Sequence, residues 1–138
     1  MFDIRYFLEA GALEFAIPKL AESNIKRAEA ILDEADQESL GCRWDGLNWQ
    51  FHQAIYQVGE RPRLLSLIQT MHNNVRRYMR LYLITLHYQA KAQKEHRDLL
   101  FACKHGEVEA AKKILRLHTK EAAELLAAYL EKPNMGQS

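Results

Sequence analysis

KEHRDLLFACKHGEVEAAKKILRLH, residues 94–118, is the stretch that decides the fold. Before the His105-Gly106 pair, Ala92, His96, Leu99, Leu100 and Cys103 recur in steps of three and four. After it, Ala111, Ile114, Leu115, His118, Ala122, Leu125, Leu126 and Tyr129 do the same. Each spacing draws one stripe along a helix. A residue that ends a helix, followed by glycine, is a helix stop. The stretch therefore predicts a helical hairpin, one arm over about Ala90–Lys104 and the other over about Glu107–Leu130. His96 lies 11 residues before residue 107 and His118 lies 11 after it. In an antiparallel hairpin such residues stand at the same height, so two imidazoles on inward stripes are expected to face each other.

Working outward, the rest of the chain reads as helix too. Ile4, Phe7, Leu8, Gly11 and Phe15 open a first helix, which Pro18 should end. Ser23 or Asn24 is the expected cap of a second, with stripe Ala28, Ile31, Leu32 and Ala35 and Gly41 as its punctuation. Asp45 is the expected cap of a third, running to about Val58 and stopped by Gly59. Pro62 suits the first turn of a long fourth helix, whose stripe runs Leu65, Ile68, His72, Val75, Met79, Tyr82 and Leu86. The expectation is an all-α, antiparallel bundle of about six helices over residues 1–132, with a frayed tail over 133–138.

Composition bounds what this bundle does. At 138 residues the chain is about one domain. Nineteen basic and 18 acidic side chains leave a formal charge of +1 with no basic block, which argues against a large nucleic-acid footprint on this chain. Cys42 and Cys103 fit no metal or redox spacing and read as reduced thiols of a cytoplasmic protein. No apolar run approaches the roughly 18 residues of a membrane span.

The histidines differ in kind. His87 and His105 fall at helix ends, where exposed imidazoles are common. His52, His72, His96 and His118 fall on apolar or mixed faces. In LNWQFHQAIY, residues 47–56, Asn48 lies one turn before His52 on the same face. If the third helix brings that pair level with His96 and His118, three imidazoles form a facial site for a divalent metal. Spacing alone equally allows three separately satisfied core histidines. No Asp or Glu is evidently placed as a general base: Asp98 should point away from His96, and Asp45 reads as a cap.

LNWQFHQAIY, ERPRLLSLIQ and the 94–118 stretch together resemble the C-terminal effector-binding domain of GntR-type bacterial transcription regulators, the FCD class. IRYFLEAGALEFA resembles that family's first helix, with Arg5 and Glu9 at its usual Arg and Glu positions. The likeness covers about residues 3–130, and its most specific parts are the Asp/Asn-x3-His motif and the EHR…H pair. It implies a divalent metal on Asn48, His52, His96 and His118: zinc first, with nickel, manganese or iron as alternatives. Asn48 stands where an Asp is common, and a neutral amide is a weaker ligand than a carboxylate. The resemblance further implies a small carboxylic acid as effector and a homodimer. It also implies DNA binding only through a winged helix-turn-helix domain that this chain lacks, and it implies no enzymatic activity. The residues themselves suggest the effector's partners. Arg76 and Arg80 flank the His72 stripe and could fork onto a carboxylate, with His72 as pocket wall. Arg5 could reach the pocket mouth or pair with Glu9. A metal-dependent helical enzyme and a metal-free interaction module are the competing readings.

Overall fold

The computed structural model describes the backbone of residues 2–38, 42–82 and 86–130. Among these residues the chain forms α1 (Phe2–Ala16), α2 (Glu22–Asp36), α3 (Cys42–Tyr56), α4 (Pro62–Tyr82), α5 (Leu86–Lys104) and α6 (Val108–Leu130). Short 3-10 turns follow α1 (Ile17–Lys19) and α3 (Gln57–Gly59). Described residues include no strand. α2 packs on α3 and α5, α1 on α6 and α4, and α5 on α6.

The α5–α6 connection carries the geometry the sequence predicted. Gly106 has φ +67°, a left-handed conformation that costs glycine nothing. Its N–H donates to Cys103 O, and the Glu107 N–H donates to Ala102 O at 2.9 Å. This is the paired closure of a Schellman turn, which caps α5 and reverses the chain at once.

Three boundaries differ from the sequence reading. α2 is capped from within: Asn24, in its first turn, accepts the Ala21 N–H at 2.8 Å, so Ala21 is the boundary residue and Asn24 the third residue inside. α3 begins at Cys42, three residues before Asp45, which lies buried in the first turn, where the helix dipole favours an anion. Leu86, read as the last residue of the α4 stripe, belongs to α5, and residues 83–85 between the two lie outside the described residues. At the α3–α4 junction the left-handed residue is Glu60 (φ 57°) rather than Gly59. Gly59 answers a different need: a Cβ there would meet Phe15 Cβ at 3.0 Å and Ala16 N at 3.2 Å.

The apolar core runs through the middle of the bundle, with Leu13, Leu32, Phe51, Ile55, Ile68 and Leu115 almost fully shielded from solvent. Ion pairs brace the outside, among them Arg97 to Asp33 between α5 and α2 and Lys112 to Glu14 between α6 and α1. Residues 131–138, including the expected tail, lie outside the described residues.

Candidate metal centre

Four histidines enter the core from four helices: His52 from α3, His72 from α4, His96 from α5 and His118 from α6. None is more than 6% exposed. His96 and His118 face each other, as their equal distance from the turn predicts. The His96 and His118 rings lie 5.1 Å apart, and the His52 ring is 4.9 Å from His96 and 6.1 Å from His118. One nitrogen from each of these three falls within 4.8 Å of the others.

What surrounds the nitrogens matters more than the distances. Both ring nitrogens of His52 and both of His96 are buried without a hydrogen-bond partner. Asn48 Oδ1, one turn before His52, is in the same position. A buried polar atom with no partner costs about 1–3 kcal/mol, and here five such atoms stand on three residues. Burial first, then the neighbouring imidazole (His72 for His52, His52 for His96), holds both rings well below the usual histidine range. They are therefore neutral, with lone pairs available to a cation.

His118 is different. Its Nδ1 lies 2.6 Å from Glu95 Oε1. A carboxylate only accepts, so Nδ1 is the donor, and in the neutral ring Nε2 then keeps the free lone pair. Burial pushes the Glu95 carboxyl up, but the hydrogen bond to His118 together with the charges of His118 and Lys91 and the contact with Glu121 outweighs it, and the group sits below its ordinary value. Glu95 was not singled out in the sequence, where only Asp98 and Asp45 were weighed as acids near these faces. Asp98 does point away, paired with Lys94 at 2.9 Å.

His72 belongs to a second group. Its ring is 5.1 Å from that of His52, yet its partners lie on α1. Arg5 Nη2 donates to His72 Nε2 at 3.2 Å, while Arg5 Nε donates to Glu9 Oε2 at 2.6 Å. Tyr56 Oη donates to Glu9 Oε1, also at 2.6 Å. Glu9 is wholly buried. Burial pushes its carboxyl up, but Arg5 and then His72 outweigh this and hold it well below the carboxylate range. Burial, then Arg5, lowers His72. Arg5 thus makes the pair with Glu9 that the sequence suggested and also reaches the inner wall. The side chains of Arg76, Arg80 and His87 lie outside the described residues, whereas His105 is exposed at the end of α5 and stacks on Phe101.

The chain belongs to the FCD domain family, which matches residues 1–121, and domains of this family are regulatory, effector-binding parts of transcription regulators and not enzymes. The fold is similar to a GntR-family transcriptional regulator from Pseudomonas syringae pv. tomato str. DC3000, with TM-score 0.80 and 22% identity. That alignment covers 95% of this chain and 56% of the regulator. It is also similar to E. coli McbR/YncC, with TM-score 0.79 and 18% identity over 94% of this chain and 63% of that one. The chain thus spans less than two thirds of either protein. Among curated proteins, none matches the sequence. No helix of the described residues is long and apolar enough to cross a membrane.

Proposed function

We propose that this chain is the effector-sensing and dimerisation domain of a bacterial GntR-family transcription regulator, and that it binds a divalent metal together with a small carboxylate. One observation carries the reading: three buried imidazoles converge, and two of them have no hydrogen-bond partner at either nitrogen. The donor set fits a metal. His52, His96 and His118 would supply three neutral nitrogens and Asn48 Oδ1 a neutral oxygen, a set that suits zinc first and nickel, manganese or iron as alternatives. A bound cation would give one nitrogen of each orphaned ring, and Asn48 Oδ1, the missing partner and offer a Lewis-acid position to an anion.

The carboxylate follows from charge. A divalent cation among neutral ligands leaves buried positive charge, which is costly until an anion enters. Arg5 does not add to that excess, because Glu9 neutralises it; it serves as a donor wall beside His72. Arg76, one turn beyond His72 on α4, is the residue assigned to fork onto the ligand's carboxylate, with Arg80 a turn further along. Hydroxy acids, sugar acids and dicarboxylates have the right chemistry. Ile4, Phe7, Leu67, Phe101 and Leu117 remain exposed on this chain, and a homodimer would cover apolar surface of this kind. Residues 1–132 are assigned to the sensing domain and 133–138 to a tail. DNA would be contacted by a winged helix-turn-helix domain outside this chain, in the cytoplasm.

The test is elemental analysis of the purified protein, mass spectrometry of any co-purified acid, and calorimetry with apo and metal-loaded protein. The expected result is about one divalent metal per chain and carboxylate binding that depends on it. Arg76→Ala should weaken that binding by about 1.5–3 kcal/mol, the usual loss of a charged hydrogen bond. Full metal content in a triple His52, His96, His118→Ala variant would show the site is elsewhere.

A further inference from the structure

We propose that Glu95 is the positioning residue of this centre: it fixes the His118 tautomer, and its charge sets cation affinity in one direction and anion affinity in the other. The inference rests on the metal reading above and deepens it.

Glu95 and His96 are neighbours on α5, about 100° apart around the helix axis. That angle sends His96 into the centre and Glu95 across to α6. There Glu95 Oε1 meets His118 Nδ1 at 2.6 Å, with the two side chains 20% and 7% exposed. The seam continues outward: Glu121, three residues after His118, forms an ion pair with Lys91 Nζ at 2.7 Å, and Lys91 is one turn before Glu95. Two consequences follow from donor and acceptor chemistry alone. First, the other tautomer would set an imidazole lone pair against a carboxylate oxygen at hydrogen-bond distance, so Nδ1–H is enforced and Nε2 is presented as the ligand atom. A carboxylate behind a ligating imidazole also raises its basicity. Second, Asn48, His52, His96 and His118 would ligate as neutral donors, and of the other nearby carboxylates Glu9 is matched by Arg5 and Glu121 by Lys91. Glu95 is thus the negative charge in contact with a ligand. Its removal should weaken the hold on a cation and leave the loaded centre more attractive to an anion.

Glu95→Gln and Glu95→Ala are the variants that decide this. The glutamine keeps the shape and a carbonyl that can accept the Nδ1–H, so it also guards against a variant that fails to fold. In the apo protein, nitrogen-15 NMR of His118 should report the Nδ1–H tautomer in the wild type and Glu95→Gln, and a mixture in Glu95→Ala. Zinc affinity, measured by chelator competition, should fall roughly 10–100-fold in Glu95→Ala and by less in Glu95→Gln. Citrate titrated into zinc-saturated protein should bind Glu95→Gln several-fold more tightly than wild type. A purely structural Glu95 would lower both affinities together, and that result overturns the proposal. So does an Nε2–H tautomer in the wild type. Wild-type protein that takes up no zinc overturns the metal reading, while the apo tautomer still decides whether Glu95 positions His118. Normal zinc uptake with unchanged affinity in Glu95→Ala overturns the assignment to Glu95 alone.

Discussion

His52 and His72 stand with rings 5.1 Å apart, on adjacent helices and equally shielded from water. Their surroundings are opposite. His72 accepts from Arg5, which is paired with Glu9, which in turn accepts from Tyr56. This α1-facing half of the polar core is closed: each charge has its counter-charge within the protein. The half built from Asn48, His52 and His96 has donors and lone pairs with no counterpart. Burial of polar groups is tolerated when they satisfy one another and is costly when they do not. The first half therefore belongs to the stability of the bundle, and the second keeps free coordinating capacity. His118 stands on the border, with one nitrogen engaged by Glu95 and the other open.

The largest expected effect breaks the closed half. Glu9→Ala leaves the Arg5 guanidinium buried without its carboxylate and should cost about 3–5 kcal/mol in urea denaturation. A loss below about 1 kcal/mol would mean that the pair does not hold this region together. The open half should respond to addition rather than to deletion. Zinc at 1,000 times its dissociation constant should stabilise the wild type by about 4 kcal/mol, and His118→Ala should abolish most of that gain. Calorimetric melting with and without zinc checks both.

Acid separates the histidines from Glu9, because the rings, that of His72 in the closed half included, respond at higher pH than the carboxylate. His52 and His96 have folded-state values well below 6.5, so between those values and 6.5 the unfolded chain binds more protons than the folded one. Stability of the apo protein is then fully present above 6.5 and falls as the pH drops below it, by about 1.4 kcal/mol per pH unit for each extra proton. Glu9 has the same sign at lower pH: its contribution is present above 4.5 and is lost as the pH falls through its depressed value. Denaturation of metal-free protein at pH 7.5, 5.5 and 4 should show two successive losses. A flat profile between 7.5 and 5.5 would contradict the buried, neutral state of the open half. The smallest effect is Gly106→Ala. Open space surrounds the new methyl, so only the left-handed backbone objects, at about 1 kcal/mol. The zinc-induced increment should stay the same.

Much of this arrangement was legible in the sequence because it follows from counting along helices. Eleven residues on each side of one turn placed His96 opposite His118, and the four-residue step from Asn48 to His52 placed both on one face. What the pattern could not show were contacts that depend on how far a side chain reaches across a helix interface. Glu95 neighbours His96 and so reads as the outward residue, yet its length carries it to α6. Glu9 lies on the first helix, 63 residues from His72, and periodicity carries no information on which distant helix a buried acid will meet. Helix starts were missed for a related reason. Asn24 caps from inside α2, and Asp45 is held within the first turn of α3, so each polar residue marked a terminus without being its boundary.

Five of the six helices send a side chain to the same small volume: Arg5 and Glu9 from α1, His52 from α3, His72 from α4, His96 from α5 and His118 from α6. Such a volume is a junction in the mechanical sense. A compartment between two elements can fill or empty while only its walls adjust. A junction cannot, since each rod that meets there ends in a short, stiff imidazole or a clamped guanidinium. A shift of a fraction of an ångström at the centre must appear as a tilt or slide of several rods together, and α2, which sends none of these polar side chains to that volume, feels it through its packing on α3 and α5. Rigid spokes, with no hinge required, turn a change of occupant at the hub into a change of outline at the rim.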